Sequence, residues 1–187
     1  MKSILLVLTF GLLSSIASAE MTIDLGFAYS ADTLYKTTDK TNTEYFYNAD
    51  LLFNLDNRKK WNVGWSVFGI SQSSADASTN TVYSSMDMGP ALRWNIDRAG
   101  VYSMTVAYGY LARGTYSVTG SADEKWEGSS YFGQIAAQIP IYEKIHVGVS
   151  LNYYGANYSL KTISNVESAN DAQKTWIFPM ISLTWRE

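Results

Sequence analysis

The sequence predicts an all-β fold, a closed eight-stranded antiparallel up-and-down transmembrane β-barrel. Three observations carry that expectation. Eight segments alternate apolar with small or polar residues, the links between them alternate short and long, and aromatic residues gather at both ends of the apolar rows. Alternation with period two marks a strand whose two faces meet different surroundings.

The elements follow in chain order. The first strand sets Met21, Ile23, Leu25, Phe27 and Tyr29 on one face against Thr22, Asp24, Gly26 and Ala28 on the other. The second carries Tyr45, Tyr47, Ala49, Leu51, Phe53 and Leu55, and the third Trp61, Val63, Trp65 and Val67. Met86, Met88, Pro90, Leu92 and Trp94 define the fourth, and Tyr102, Met104, Val106, Tyr108 and Tyr110 the fifth. The sixth shows Tyr131, Gly133, Ile135, Ala137, Ile139 and Ile141, and the seventh Ile145, Val147, Val149, Leu151 and Tyr153. Ile177, Pro179, Ile181, Leu183 and Trp185 form the eighth. None of these positions is charged. Short turns are expected at Asp56–Lys60, Asn95–Gly100 and Tyr142–Lys144, and long polar loops at about Asp32–Thr43, Gln72–Thr81, Gly114–Lys125 and Leu160–Lys174. An even strand count with short turns at one end and long loops at the other describes a bacterial transmembrane barrel.

Residues 1–19 read as a secretory signal peptide: Lys2 gives a basic start, Ile4 to Leu13 an apolar run, and Ala17-Ser18-Ala19 a small-residue cleavage pattern. The run is shorter than the ~20 residues of a spanning helix. Residues 20–187 then form one barrel domain. The chain has no cysteine and a single histidine, His146, so thiol chemistry and a His-rich metal site are excluded, and no cofactor is expected. With 14 Lys+Arg against 17 Asp+Glu and no basic cluster, nucleic acid is not an expected partner.

Alternation alone leaves two arrangements: apolar rows outward toward lipid, or inward around a ligand as in a soluble lipocalin-type barrel. The polar rows decide for the first. They are rich in Gly and Ala (Gly26, Ala28, Gly64, Gly89, Ala107, Gly109, Gly148), as a narrow interior requires. Their charges have opposite signs and can pair, namely Asp24, Asp50 and Asp87 with Arg93 and Arg113. Trp61, Trp94, Tyr102 and Trp185 lie near the short-turn end, and Tyr29, Tyr45, Tyr110, Tyr131 and Tyr153 near the other. Two such belts mark two membrane interfaces.

The whole pattern after residue 19 resembles the small outer-membrane barrels of the OmpX, OmpA-barrel and OmpW kind. Such proteins usually end in an aromatic residue, whereas here Trp185 is followed by Arg186-Glu187. The resemblance implies a location in the cell outer membrane of a Gram-negative bacterium, with outer-membrane lipid including lipopolysaccharide as the surrounding partner.

Inward residues divide into two zones. A polar base holds Asp24, Asp50, Asn62, Ser66, Arg93, Gln134, Gln138, His146 and Ser182. An upper, aromatic zone holds Phe46, Phe68, Ile70, Leu111, Phe132, Tyr154, Trp176 and Phe178. Eight strands enclose barely enough room for side chains, so a packed plug is the expected state and the role falls to the outer loops. The alternative is an apolar pocket for a small hydrophobic solute, which OmpW-type barrels imply by resemblance. Catalysis is not expected. The lipid A deacylases place a His two residues before a Ser, but here His146-Val147-Gly148 breaks that spacing. The rim acids Asp123, Glu124 and Glu127 read as solvated loop charge, and the loops carry no motif that names a partner.

Overall fold

The computed structural model describes residues 20–34, 40–56, 59–97 and 99–187; the expected signal peptide lies outside them. The strands are β1 (Met21–Leu34), β2 (Lys40–Asn54), β3 (Trp61–Ala75), β4 (Asn80–Asn95), β5 (Tyr102–Val118), β6 (Glu124–Tyr142), β7 (Ile145–Ile163) and β8 (Val166–Arg186). Each pairs antiparallel with the next, and β8 returns to β1 to close the ring. The eight-stranded up-and-down barrel is as expected.

Side-chain direction follows the alternation. Ile135, Val149 and Ile181 on the outside are about 60% exposed (59%, 63% and 64%), whereas Asp24, Phe46, Phe68 and Thr105 inside have no exposed surface. The apolar rows therefore face out and the mixed rows fill the lumen, the reverse of a lipocalin-type arrangement.

The strands run further than the composition suggested. Gly114–Lys125 is mostly β5 and β6, joined by a short turn after Val118, and Leu160–Lys174 is mostly β7 and β8. Ser164 and Asn165, at φ 49° and 66°, form the two-residue tip between them, the left-handed pair that a tight hairpin needs. β3 and β4 meet at a turn where Ser78 and Thr79 donate their N–H groups to Asp76 Oδ1, at 3.0 and 2.8 Å. Ser, Thr and Asn read as loop residues in isolation, but cross-strand pairing satisfies their backbone groups as well as any others.

Strand β5 carries a bulge. Its pairs with β4 step from Ala91↔Ala107 to Met86↔Arg113, and those with β6 from Gly109↔Ser130 to Ala112↔Gly128. Both neighbours count one extra residue on β5, at Tyr110-Leu111. Pro90 lies across from it, where the β4–β5 ladder is interrupted. The wall stays tight there: a Cβ on Gly89 would sit 1.8 Å from the Tyr108 carbonyl oxygen. Pro179, also on the outer face, keeps its pairing to β7 through Leu151, and the β1–β8 ladder stops at Phe27↔Ile181, just short of it. The missing proline N–H thus falls on the side where pairing ends.

At the opposite end, the β4–β5 turn is organised by Asp97. Its carboxylate accepts N–H groups from Ala99, Val101 and Tyr102 at 3.0, 3.2 and 2.7 Å. Slight burial raises this carboxyl, but those donors outweigh it and hold it below the usual carboxylate range. A carboxyl depressed on folding contributes stability that is present above its unfolded value and lost as pH falls through its folded value. Asp97→Ala is therefore expected to be less stable than wild type at neutral pH. The gap should close in acid, as read by urea unfolding at a series of pH values.

Candidate functional site

Chemistry-bearing side chains converge in the lumen, and the sheet register sets their heights. Thr184, Asp24, Asp50 and Ser66 are successive cross-strand partners, as are Asn62, Arg93 and Thr105. Arg93 Nη2 reaches Asp24 Oδ2 at 2.5 Å and Asp50 Oδ2 at 3.3 Å, and its Nε donates to Thr105 Oγ1 at 2.9 Å. Ser66 donates to Asp50 at 2.6 Å. Gln138 Nε2 donates to Asp24 at 3.2 Å and to Thr184 at 2.6 Å, and its Oε1 accepts from Arg186. One guanidinium between two carboxylates leaves a negative charge that the Arg186 contact offsets. All three charged members of the centre are buried, a geometry that tolerates no missing partner.

Above this network lies a layer of rings. Phe46 packs on Phe178, Phe132 and Tyr154 with centroids at 4.5, 5.3 and 5.7 Å. Phe68 meets Phe132 at 5.5 Å, and Trp176 stacks on Phe178 at 4.1 Å. These are contact distances for aromatic pairs, so the rings fill the section rather than line a hole. Ile70 is fully buried beside them, whereas Trp176 is half-buried.

Higher still is a set of hydroxyls of which the sequence reading singled out only Tyr154, not Tyr83, Ser85 or Tyr158. Tyr154 donates to Asp87 Oδ2 at 2.7 Å and lies 2.9 Å from Ser85 Oγ, and Tyr83 and Tyr158 share a hydrogen bond of 2.6 Å. Trp126 stacks on Tyr116 at 5.0 Å and covers Tyr83 and Tyr158 at 5.9 and 5.5 Å. The signal was available: Tyr83, Ser85 and Asp87 alternate on one face, as do Tyr154 and Tyr158. It was lost because Tyr158 and Trp126 stood beside or within segments read as loop.

Most expected lumen residues therefore point inward, in two groups. Asp24, Asp50, Arg93 and Gln138 meet in one network. Gln134 is buried nearby and donates weakly to Ser150 Oγ at 3.4 Å. His146 stands apart, half-buried at the lower mouth. Asp87 belongs with the tyrosines and not with a cation. Two residues do not face the lumen. Leu111 is 41% exposed and Arg113 is exposed, because the Tyr110-Leu111 bulge reverses the phase and turns Ala112 and Gly114 inward instead. The pairing of Arg113 with lumen carboxylates is thus corrected. Leu111→Asn is expected to change stability by no more than about 1 kcal/mol, the cost of polarity near an interface. A loss as large as that of a buried ring, measured by urea unfolding, would contradict the bulge.

Comparison with known proteins adds little to this geometry. No protein-family model matches the chain, and no curated protein matches it. Among solved structures it is similar to the translocator domain of autotransporter NalP from Neisseria meningitidis. The two are 10% identical with a TM-score of 0.45, over 95% of this chain and 67% of that one. The functional reading rests on the residues themselves.

Proposed function

We propose that this chain is a bacterial outer-membrane β-barrel whose lumen is a structural core and whose extended outer hairpins carry its interactions. The observation that carries the reading is the inversion of the barrel: an uncharged apolar band faces out while ion pairs and hydrogen bonds fill the inside. In lipid every backbone group must be paired within the protein, which ring closure supplies. A charge at mid-bilayer costs about 2–4 kcal/mol, which accounts for an outer band that has none. Lipid, including lipopolysaccharide, surrounds the band, and residues 1–19 direct export and are removed.

The chain is not an enzyme in this reading. The buried carboxylates are held by Arg93, Ser66, Gln138 and Tyr154, groups that fix them in place, and the rings deny substrate access from above. The hairpins β5–β6 and β7–β8 extend beyond the aromatic belt and offer the surface for an extracellular partner. Gel migration of residues 20–187 folded in detergent, before and after boiling, tests the barrel. A heat-dependent mobility shift is expected. A protein that stays soluble without detergent and shows no shift would overturn the membrane reading.

A further inference from the structure

The ring is not closed along its full height. β1 and β2 stay paired up to Leu34↔Lys40, and β7 and β8 up to Ile163↔Val166. Between β1 and β8 the ladder runs only from Thr22↔Arg186 to Phe27↔Ile181. Above it, residues 28–34 of β1 and the facing residues 174–180 of β8 are each paired on their other side alone, which leaves a notch in the wall. The Glu187 N–H donates to the Met21 carbonyl at 2.9 Å, so odd-numbered residues of both strands turn their backbone groups toward this seam. Tyr29 and Ala31 on one edge, and Thr175 and Ile177 on the other, thus present N–H and C=O groups with no ladder partner. Pro179 accounts for where the ladder ends: in the same register it faces Tyr29, and it has no N–H to give.

Such an edge is a template for another strand. Its surroundings decide which. Tyr29 belongs to the upper aromatic belt and is 56% exposed, and Ile177 across the notch is 65% exposed, so the notch begins at the membrane interface with an apolar outer face. Behind it Lys174 reaches inward to Glu44 and Gln72 at 2.5 and 2.8 Å, so the notch opens outward and is not an entrance to the lumen. An acyl chain offers no partner for backbone N–H and C=O groups. A single peptide strand would be antiparallel to one edge and parallel to the other, because β1 and β8 run in opposite directions. A second copy meets both demands. Turned by a twofold axis along the barrel, it sets its β8 edge against β1 and its β1 edge against β8, both antiparallel, and the contact is self-complementary.

We propose that two copies of this chain associate seam to seam, β1 of each extending its ladder onto β8 of the other above Phe27 and Ile181. The inference rests on the outer-membrane reading, which holds both barrels upright in one bilayer. In the register of the closed part, Ala31 of one copy pairs with Ile177 of the other, both on the outer face.

The chain has no cysteine, so disulfide trapping in lipid vesicles reads the contact directly. Residues 20–187 with Ala31→Cys and a tag are folded together with untagged Ile177→Cys or Thr175→Cys and oxidised. A tagged product of twice the mass is expected from one of the two mixtures and from no variant alone. Directly paired residues lie about 5.5 Å apart, within disulfide reach. Energy transfer between wild-type barrels, labelled with donor or acceptor at an added C-terminal cysteine, tests the association with the seam unchanged. Transfer that persists as lipid is added is expected. Transfer no greater than that of randomly placed barrels would overturn the proposal, as would folded variants that yield no trapped product. Variants without the heat shift on gels have not folded, and the wild-type transfer then decides. Wild-type barrels that show the heat shift and no transfer lose only this inference; absence of the heat shift loses the membrane reading.

Discussion

Replacing Arg93 by Met is expected to lower barrel stability by about 3–5 kcal/mol, the cost of leaving buried charge without its partner. Methionine fills much of the same volume, so the loss comes from Asp24 and Asp50, whose fully buried carboxylates would face each other across the lumen. Arg186 does not replace the cation, because within this centre it donates to Gln138 and to neither carboxylate. Lysine would not restore it either, since a point charge cannot serve Thr105 through Nε while bridging two carboxylates. Adding Asp24→Asn and Asp50→Asn to Arg93→Met should recover most of the loss. Equilibrium urea unfolding from lipid vesicles measures it. A loss below about 1 kcal/mol would place the carboxylates in water and not in a packed interior.

Phe68→Ala is expected to cost a similar amount, about 3–5 kcal/mol, because the ring contacts Phe132 and Tyr154 and the strands around it cannot close the gap. The same substitution separates the packed lumen from the solute-binding alternative. The cavity left beside the Phe132 and Tyr154 rings accepts an apolar guest. The variant should therefore gain binding of a small fluorescent hydrophobe that wild type does not bind. Binding of equal strength in wild type would favour the pocket reading and make the rings a gate.

The barrel was legible because its outer band obeys a single rule, with lipid-facing positions apolar at every second residue for eight strands. The lower network was legible for a related reason. Charges on an inward face must be neutralised, so in the sequence Asp24 and Asp50 point to Arg93. What escaped depends on local departures from the period. Strict alternation carried Leu111 and Arg113 inward, and only the extra residue at Tyr110-Leu111 turns them out. Asp87 was matched to a cation by sign, whereas the structure satisfies it with Tyr154, a partner contributed from across the barrel. The outer hairpins were hidden by composition, because Ser, Thr and Asn suit a solvated strand as well as a loop. Asn62 was legible from its alternation with Trp61 and Val63, whereas Asn95, buried two residues after Arg93, reads as the start of the Asn95–Gly100 turn.

The central claim is that the apolar rows meet lipid while the aromatic zone is a core. Single-tryptophan variants folded into vesicles of lipid brominated on the acyl chains test it most directly. Trp65 stands on the outer face, 42% exposed, and Trp176 is stacked on Phe178 in the lumen. Strong quenching of Trp65 with Trp176 nearly unaffected is the predicted result. Quenching of neither, with the protein remaining in the aqueous phase, would contradict the account.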